Sequence, residues 1–215
     1  MYRVAVTVGN GTAGRGGKRR GTQHLTPAGV RILETASRLF YEQGIRAVGV
    51  EAIAEEAGVT KKTIYDRFGS KEQLIVAYLR ARDGLWRSTL VKHVNGHDGP
   101  AEQKILATFD ALRSWMRERN SRGCAFINAA VELPEDHPGR KVAREQKTWL
   151  LTYLEDLARQ ARAADPAALA AQVLILHEGA CVADSMHSVD QAVDRAAHMA
   201  AVLVDTSLAG ELARS

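Results

Sequence analysis

The segment AGVTKKTIYDRFGSKEQLIVAYL, residues 57–79, constrains the fold more than any other. A Gly58-Val59-Thr60 turn leads into Lys61–Phe68, a span of two helical turns in which Ile64 and Phe68 stand four apart on one face. Isolated helices shorter than about 12 residues are marginal in water, so these two side chains have to pin the span to neighbours. Lys61, Lys62, Thr63, Tyr65 and Asp66 are then left on or near the outward faces. The preceding sequence supplies the neighbours. Thr26 is an N-cap followed by Pro27 at the first helical position. Ile32, Leu33, Ala36, Leu39 and Phe40 form one apolar stripe that Gly44 stops. Val50, Ile53, Ala54 and Ala57 recur at i, i+3, i+4 and i+7, and Gly58 ends that second helix. Thr60 caps the third, and Ser70 with Gln73 forms a capping box for a fourth through Leu74, Ala77, Tyr78 and Ala81. Three helices with such short connections in residues 27–69 have helix-turn-helix spacing.

The rest of the chain also reads as helix. Long stretches rich in Ala, Leu, Glu, Arg and Gln contain few prolines, and no alternating strand pattern follows residue 8. Sequence reading finds no apolar run approaching the roughly 18 residues of a membrane helix and no signal peptide, so a cytoplasmic protein without a membrane partner is expected. Cys124 and Cys181 are expected to be free thiols. Residues 1–69 hold eleven Lys or Arg against six Asp or Glu, a balance of +5, whereas residues 70–215 hold eighteen against nineteen, a balance of −1. A basic first part joined to a near-neutral remainder points to a polyanion partner for the first part alone.

Within residues 1–25, Arg15, Lys18, Arg19 and Arg20 lie among glycines, the composition of a flexible basic arm. Gly9-x-Gly11-x-x-Gly14 follows VAVTV, but RGGKRRGTQ comes next and cannot begin the helix that a dinucleotide fingerprint needs. GRGGKRR lacks the glycine spacing of a phosphate loop and has Arg19 where Ser or Thr is required. No cofactor is expected. His137 beside Glu135 and Asp136 in LPEDHPG reads as a polar turn and not as acid–base machinery, and no nucleophile motif is present.

A polar two-turn helix pinned on one side fits the DNA major groove, where lysines donate to guanine, threonine meets base edges and a tyrosine hydroxyl reaches phosphate. Lys71, at the positive end of the fourth helix, is unfavourable unless phosphate lies nearby. The run RILETASRLFYEQGIRAVGVEAIAEEAGVTKKTIYDRFGSKEQLIVAYL resembles the DNA-binding domain of the TetR family of bacterial transcriptional regulators, and RGCAFINAAVELPEDHPGR resembles a segment of some members. That resemblance implies an all-α homodimer presenting two recognition helices to a palindromic operator on double-stranded DNA. It places DNA contacts on Thr60, Lys61, Lys62, Thr63, Tyr65, Asp66 and Lys71. Two positions depart from the family: Gly49 replaces a capping Thr or Ser, and Asp66 stands where a neutral polar residue is common.

The expected organisation is the arm 1–25, a helix-turn-helix domain 26–71 continuing into a linking helix 72–92, and a helical ligand-binding and dimerisation domain 93–215. Expected helices there run from Ala101 to Asn120, from about Cys124 to Leu133, through Trp149 and Leu157, from Pro166, and from Asp190 to Leu208. Leu169, Val173, Leu176, Ala180 and Ala183, with Val193, Ala197, Ala200, Val204 and Leu208, read as the faces of a four-helix dimer interface. Trp115, Phe126, Trp149, Tyr153 and His177 are the candidates for lining a small-molecule effector pocket, although each such residue is more often plain core. His177, Cys181, Asp184 and His187 form a drifting stripe of metal-ligand types that can also be plain core. The functions this sequence supports are a ligand-released repressor or, alternatively, a nonspecific nucleoid-type DNA-binding protein, with a metal-responsive regulator less favoured.

Overall fold

The computed structural model describes residues 25–120 and 122–212, which form nine helices and no strand. Most of the expected arm, with Arg15, Lys18, Arg19 and Arg20, lies outside the described residues. The helices are α1 Pro27–Gln43, α2 Val50–Glu56, α3 Lys61–Phe68, α4 Lys71–Asn95, α5 Ala101–Arg119, α6 Ala125–Glu132, α7 Pro138–Gln160, α8 Pro166–Ser185 and α9 Ala192–Leu212. Their ends follow local chemistry. Thr26 accepts from the Gly29 N–H at the start of α1, and Gly44, at φ +96°, closes it with its N–H on the Phe40 carbonyl. Ser70 accepts from the Gln73 N–H at 3.1 Å, and Asp165 caps α8 through the Ala168 N–H, with Pro166 at N1. α9 begins two residues later than expected and runs four beyond Leu208.

The chain divides into two compact units: one up to Gly84 together with Phe126–Ala143, the other Leu85–Ala125 together with Arg144 onward. This division differs from the boundaries expected near 71 and 93. The reason lies in α4, whose first half buries Leu74, Ile75, Tyr78 and Leu79, with Tyr78 set 5.8 Å from the Phe40 ring. Its second half buries Trp86, Leu90 and Val94 in the core of the other unit, where Trp86 meets Trp115 edge-on at 5.3 Å. Helix α6, expected in the larger domain, belongs to the first unit from Phe126 onward.

The first unit's core joins Ile32, Ala36 and Phe40 of α1, Ile53 and Ala54 of α2, and Ile64 and Phe68 of α3. In the second unit Phe109, Leu112, Leu154, Leu169, Val173, Ala200 and Val204 are buried together. Contrary to the sequence expectation, Pro166–Ser185 is long and apolar enough to pass for a membrane span, with mean hydropathy 1.4. Its Leu169, Ala170, Val173, His177, Ala180 and Cys181 are core residues of the second unit.

Because Ile64 and Phe68 are the two buried side chains of α3, Ile64→Ala is expected to destabilise the first unit by about 2–5 kcal/mol. Urea unfolding followed by circular dichroism checks this against an exposed control, Lys92→Ala.

Candidate nucleic-acid interface

On α3 the sequence separates anchor from face. Ile64 is 0% and Phe68 2% exposed, whereas Lys61, Lys62, Tyr65, Asp66 and Arg67 are all exposed and Thr63 is partly so. Thr60 accepts from the Thr63 N–H at 3.1 Å, and the two threonine hydroxyls are hydrogen-bonded at 2.9 Å. This fixes both side chains at the leading end of the helix. Gly58, at φ +64°, makes the tight turn before it, a backbone region that glycine enters without a steric cost.

Both lysines carry an acidic partner. Lys61 Nζ lies 2.9 Å from Glu51 Oε1 of α2, and Lys62 Nζ lies 2.8 Å from Asp66 Oδ2 one turn on. The hydrogen bond from Lys61, with help from the backbone N–H of Glu51 itself, holds the Glu51 carboxyl below the usual carboxylate range, and Lys61 is raised in return. Gly49 gives α2 no side-chain cap, in keeping with its departure from the family pattern, and Glu51 supplies negative charge in the first turn. Exposed pairs of this kind contribute little net stability, so another anion can replace either carboxylate at small cost.

Lys71 is different. It is half-buried with Nζ 5.9 Å from the Phe40 ring centroid, and burial pulls its pKa down against the opposing influence of Glu132 and Glu51. It lines an open cavity of about 390 Å³ in the first unit, together with Ile45, Arg46, Ile75, Glu132 and Leu133. Here the Glu132 carboxylate at the end of α6 accepts the Arg46 backbone N–H at 3.0 Å. A Cβ at Gly44 would stand 3.1 Å from the same carboxylate. Sequence reading missed this contact between residues 86 apart, and it missed the exposed Arg67, which a count of cations on α3 would have found.

Comparison with known proteins agrees with this architecture. Residues 32–78 match the family described as bacterial regulatory proteins, tetR family, and residues 101–200 match the tetracyclin repressor-like C-terminal domain. The crystal structure of SCO4454, a TetR-family transcriptional regulator from Streptomyces coelicolor, superposes with a TM-score of 0.78 at 30% identity. The match covers 84% of this chain and 96% of that one. The chain belongs to the TetR family. The HTH-type transcriptional regulator YjdC of Escherichia coli (strain K12) is 28% identical over 171 residues, 78% of this chain and 87% of its own. The HTH-type transcriptional repressor KstR2 of Rhodococcus jostii (strain RHA1) is 28% identical over 154 residues, 70% of this chain and 63% of its own. As a TetR-family transcriptional regulator, the protein is assigned to a family of DNA-binding proteins that are not enzymes.

The effector-pocket candidates do not form one group. Phe126 is buried in the first unit, whereas the other four belong to the second. Trp115 is packed against Trp86 as core. Trp149 and Tyr153 stack at 5.3 Å with an 11° interplanar angle and remain half-buried, and the Arg87 guanidinium stands 4.5 Å over Trp149. None of the five lines the cavity at Lys71. The metal stripe also fails to converge. His187 lies beyond the end of α8 with φ +50° and is exposed, whereas His177 is buried and bonded to Thr108. Among the described residues, no three His, Cys, Asp or Glu side chains are grouped to hold a metal ion.

His177 is instead a neutral core residue. The Thr108 hydroxyl donates to the Ile105 carbonyl at 2.6 Å, so its oxygen accepts from His177 Nε2 at 2.9 Å, while Phe109 packs 4.2 Å from the imidazole centroid. Burial, aided by the Lys147 charge, lowers its pKa from 6.5 to about 3. Unfolding below pH 6.5 therefore takes up a proton that the folded state refuses. The stabilisation is complete above that pH and is lost as pH falls toward 3. The unfolding free energy of the wild type, measured by urea titration, is expected to fall more steeply from pH 6.5 to 4 than that of His177→Asn, by at most about 1.4 kcal/mol per pH unit. Parallel slopes would show that the imidazole makes no such contribution.

Proposed function

We propose that this TetR-family regulator is a homodimeric repressor that reads a palindromic operator through α3 and is released from it by a small-molecule ligand. The observation that carries the reading is the division of α3 into two buried anchors, Ile64 and Phe68, and an exposed polar face. A helix this short gains little from solvent contact, and a major groove gives its face a partner. Thr60, Lys61, Lys62, Thr63 and Tyr65 are proposed to contact DNA, with Arg67 added to them. Lys61 and Lys62 exchange Glu51 and Asp66 for phosphate or base, and Asp66, once released, is free to accept from a cytosine amine. Lys71, half-buried over Phe40, serves phosphate from the edge of this surface.

Dimerisation is supported by apolar side chains left exposed on and beside the last two helices: Ile175 and Val182 of α8 and Met186 just after it, with Met199 and Val202 of α9. Of the residues first expected to form that surface, Leu176, Ala183, Ala197 and Leu208 are partly exposed. Leu169, Val173, Ala180, Val193, Ala200 and Val204 are buried within the chain itself. A two-fold dimer fits a palindrome, and occupancy of that site excludes polymerase in the cytoplasm. A ligand preferring the unbound arrangement of the dimer would then lower operator affinity by its differential binding energy. The half-buried Trp149–Tyr153 stack under Arg87 is the best remaining candidate for recognising such a ligand.

Selection from a random duplex pool at physiological salt, with competitor DNA, is expected to enrich one palindrome. Equal retention of all duplexes would favour the nucleoid-type alternative. On the selected operator, Lys62→Ala should weaken binding and reduce the salt slope by about one. Unchanged affinity and slope would remove Lys62 from the interface.

A further inference from the structure

The polar face of α3 has a centre and a flank. Residues on an α-helix advance by about 100° each, so Lys62 lies about 200° round the axis from Ile64, and Asp66 the same from Phe68. The two buried anchors therefore aim Lys62 and Asp66 most directly away from the core. Their side chains are 82% and 56% exposed, yet Lys62 Nζ stands 2.8 Å from Asp66 Oδ2. Lys61 is placed differently, only about 60° from Ile64 and so on the flank. Its partner Glu51 belongs to α2, where the carboxyl is also held by its own backbone N–H. In a docked helix the flank meets phosphates at the groove walls, and the centre meets base edges on the floor.

Lys62 and Asp66 thus present a donor and an acceptor side by side on one helix. The major groove offers the complement. In a Watson–Crick pair the two central groove-facing groups are hydrogen-bonded to each other at about 2.9 Å. The two side-chain tips have nearly the same separation. Guanine shows acceptors at O6 and N7, and its cytosine partner shows the N4 donor, so an ammonium over guanine and a carboxylate over cytosine are both satisfied. Inverting the pair to C·G sets the ammonium against the amine and the carboxylate against O6, and A·T fails in the same way. T·A offers O4 and N6 in the right order, but it puts the thymine methyl beside the ammonium and adenine N7, an acceptor, beside the carboxylate. G·C is the one arrangement without a repulsive contact.

We propose that Lys62 and Asp66 together form the specificity determinant for one G·C base pair in each operator half-site, with Lys62 on guanine and Asp66 on its cytosine partner. This rests on the operator reading of α3 and names bases for it. The exchange costs little, because the ion pair given up is exposed and weak, and each group leaves it for a charge-assisted hydrogen bond. The acid has a second effect. Set at the centre of the face, it is repelled by phosphate, so α3 carries its lysines without becoming a general binder of polyanions.

The test starts from the palindrome selected by the wild type and replaces each base pair symmetrically in both half-sites. Affinity is measured with the full chain at a single salt concentration. Wild type is expected to show one G·C position at which C·G and A·T each cost on the order of tenfold per half-site, with T·A costing less. Lys62→Ala and Asp66→Ala should both flatten the preference at that same position and leave the others unchanged. Asp66→Asn should move the preference there from G·C to T·A, because an amide donates to adenine N7 where a carboxylate is repelled. A gained preference cannot arise from a folding defect, and both side chains lie outside the core. Relaxation at two different positions, or retention of G·C by Asp66→Asn, overturns the inference. So does an Asp66→Ala variant that binds every duplex more tightly with unchanged preferences, since the acid then acts by charge alone. Wild type that selects no palindrome contradicts the operator reading itself, whereas a palindrome without such a G·C position leaves that reading standing and overturns this one.

Discussion

The burial of Ile64 and Phe68 is the constraint on which the exposed face of the first unit depends. An eight-residue helix has little intrinsic stability, because nucleation fixes several dihedrals for very few internal hydrogen bonds. Burying a large apolar side chain contributes about 1.5–3 kcal/mol, and two of them, with the Thr60 cap and the Gly69 N–H on the Tyr65 carbonyl, hold α3 in place. Every other position on α3 is thereby released from the core. The composition of those positions, two lysines, a threonine, a tyrosine, an aspartate and an arginine, is free to be set by what the helix meets outside the protein.

Ion pairing separates the two units by a related logic. Lys61–Glu51 and Lys62–Asp66 are exposed, screened by water and salt, and weak, so their carboxylates keep the lysines neutralised in the free protein without committing them. Lys147–Glu178 is largely shielded, and removing either partner would leave an uncompensated charge out of water. A pair that exchanges easily suits a surface that binds and releases a polyanion. A pair that cannot exchange holds a single cation in place, 3.5 Å from the Cys124 sulfur.

Helix ends were legible in the sequence wherever a side chain or a glycine made the terminal hydrogen bond. Thr26, Gly44, Thr60, Ser70 and Asp165 all stand at the ends that they imply, because capping is decided within four residues of chain. The anchors and face of α3 were legible for the same reason. What failed was pairing over long separations. Nothing local distinguishes Leu169 and Val173, which are core, from Ile175 and Val182, which are exposed, on a helix that is apolar nearly all round. Nor does any spacing tell that Phe126 belongs with the first unit, or that Glu132 closes on the α1–α2 turn. The metal stripe failed at its end, since α8 stops at Ser185 and carries His187 out of register.

The second unit also shows why two basic side chains withdrawn from water to different degrees meet opposite fates. His177 has a reference pKa close to neutrality, so giving up its proton costs little, and Thr108 offers an oxygen that a neutral imidazole can donate to. Lys147 would have to give up a proton held about four pH units more tightly, and it has an acid at 2.7 Å and a thiol at 3.5 Å that reward the charge. Burial acts in the same direction on both, and partner chemistry decides the outcome. The charge of Lys147 helps to keep His177 neutral, so the unit holds one fixed positive charge where two would repel, and that charge is directed at Cys124.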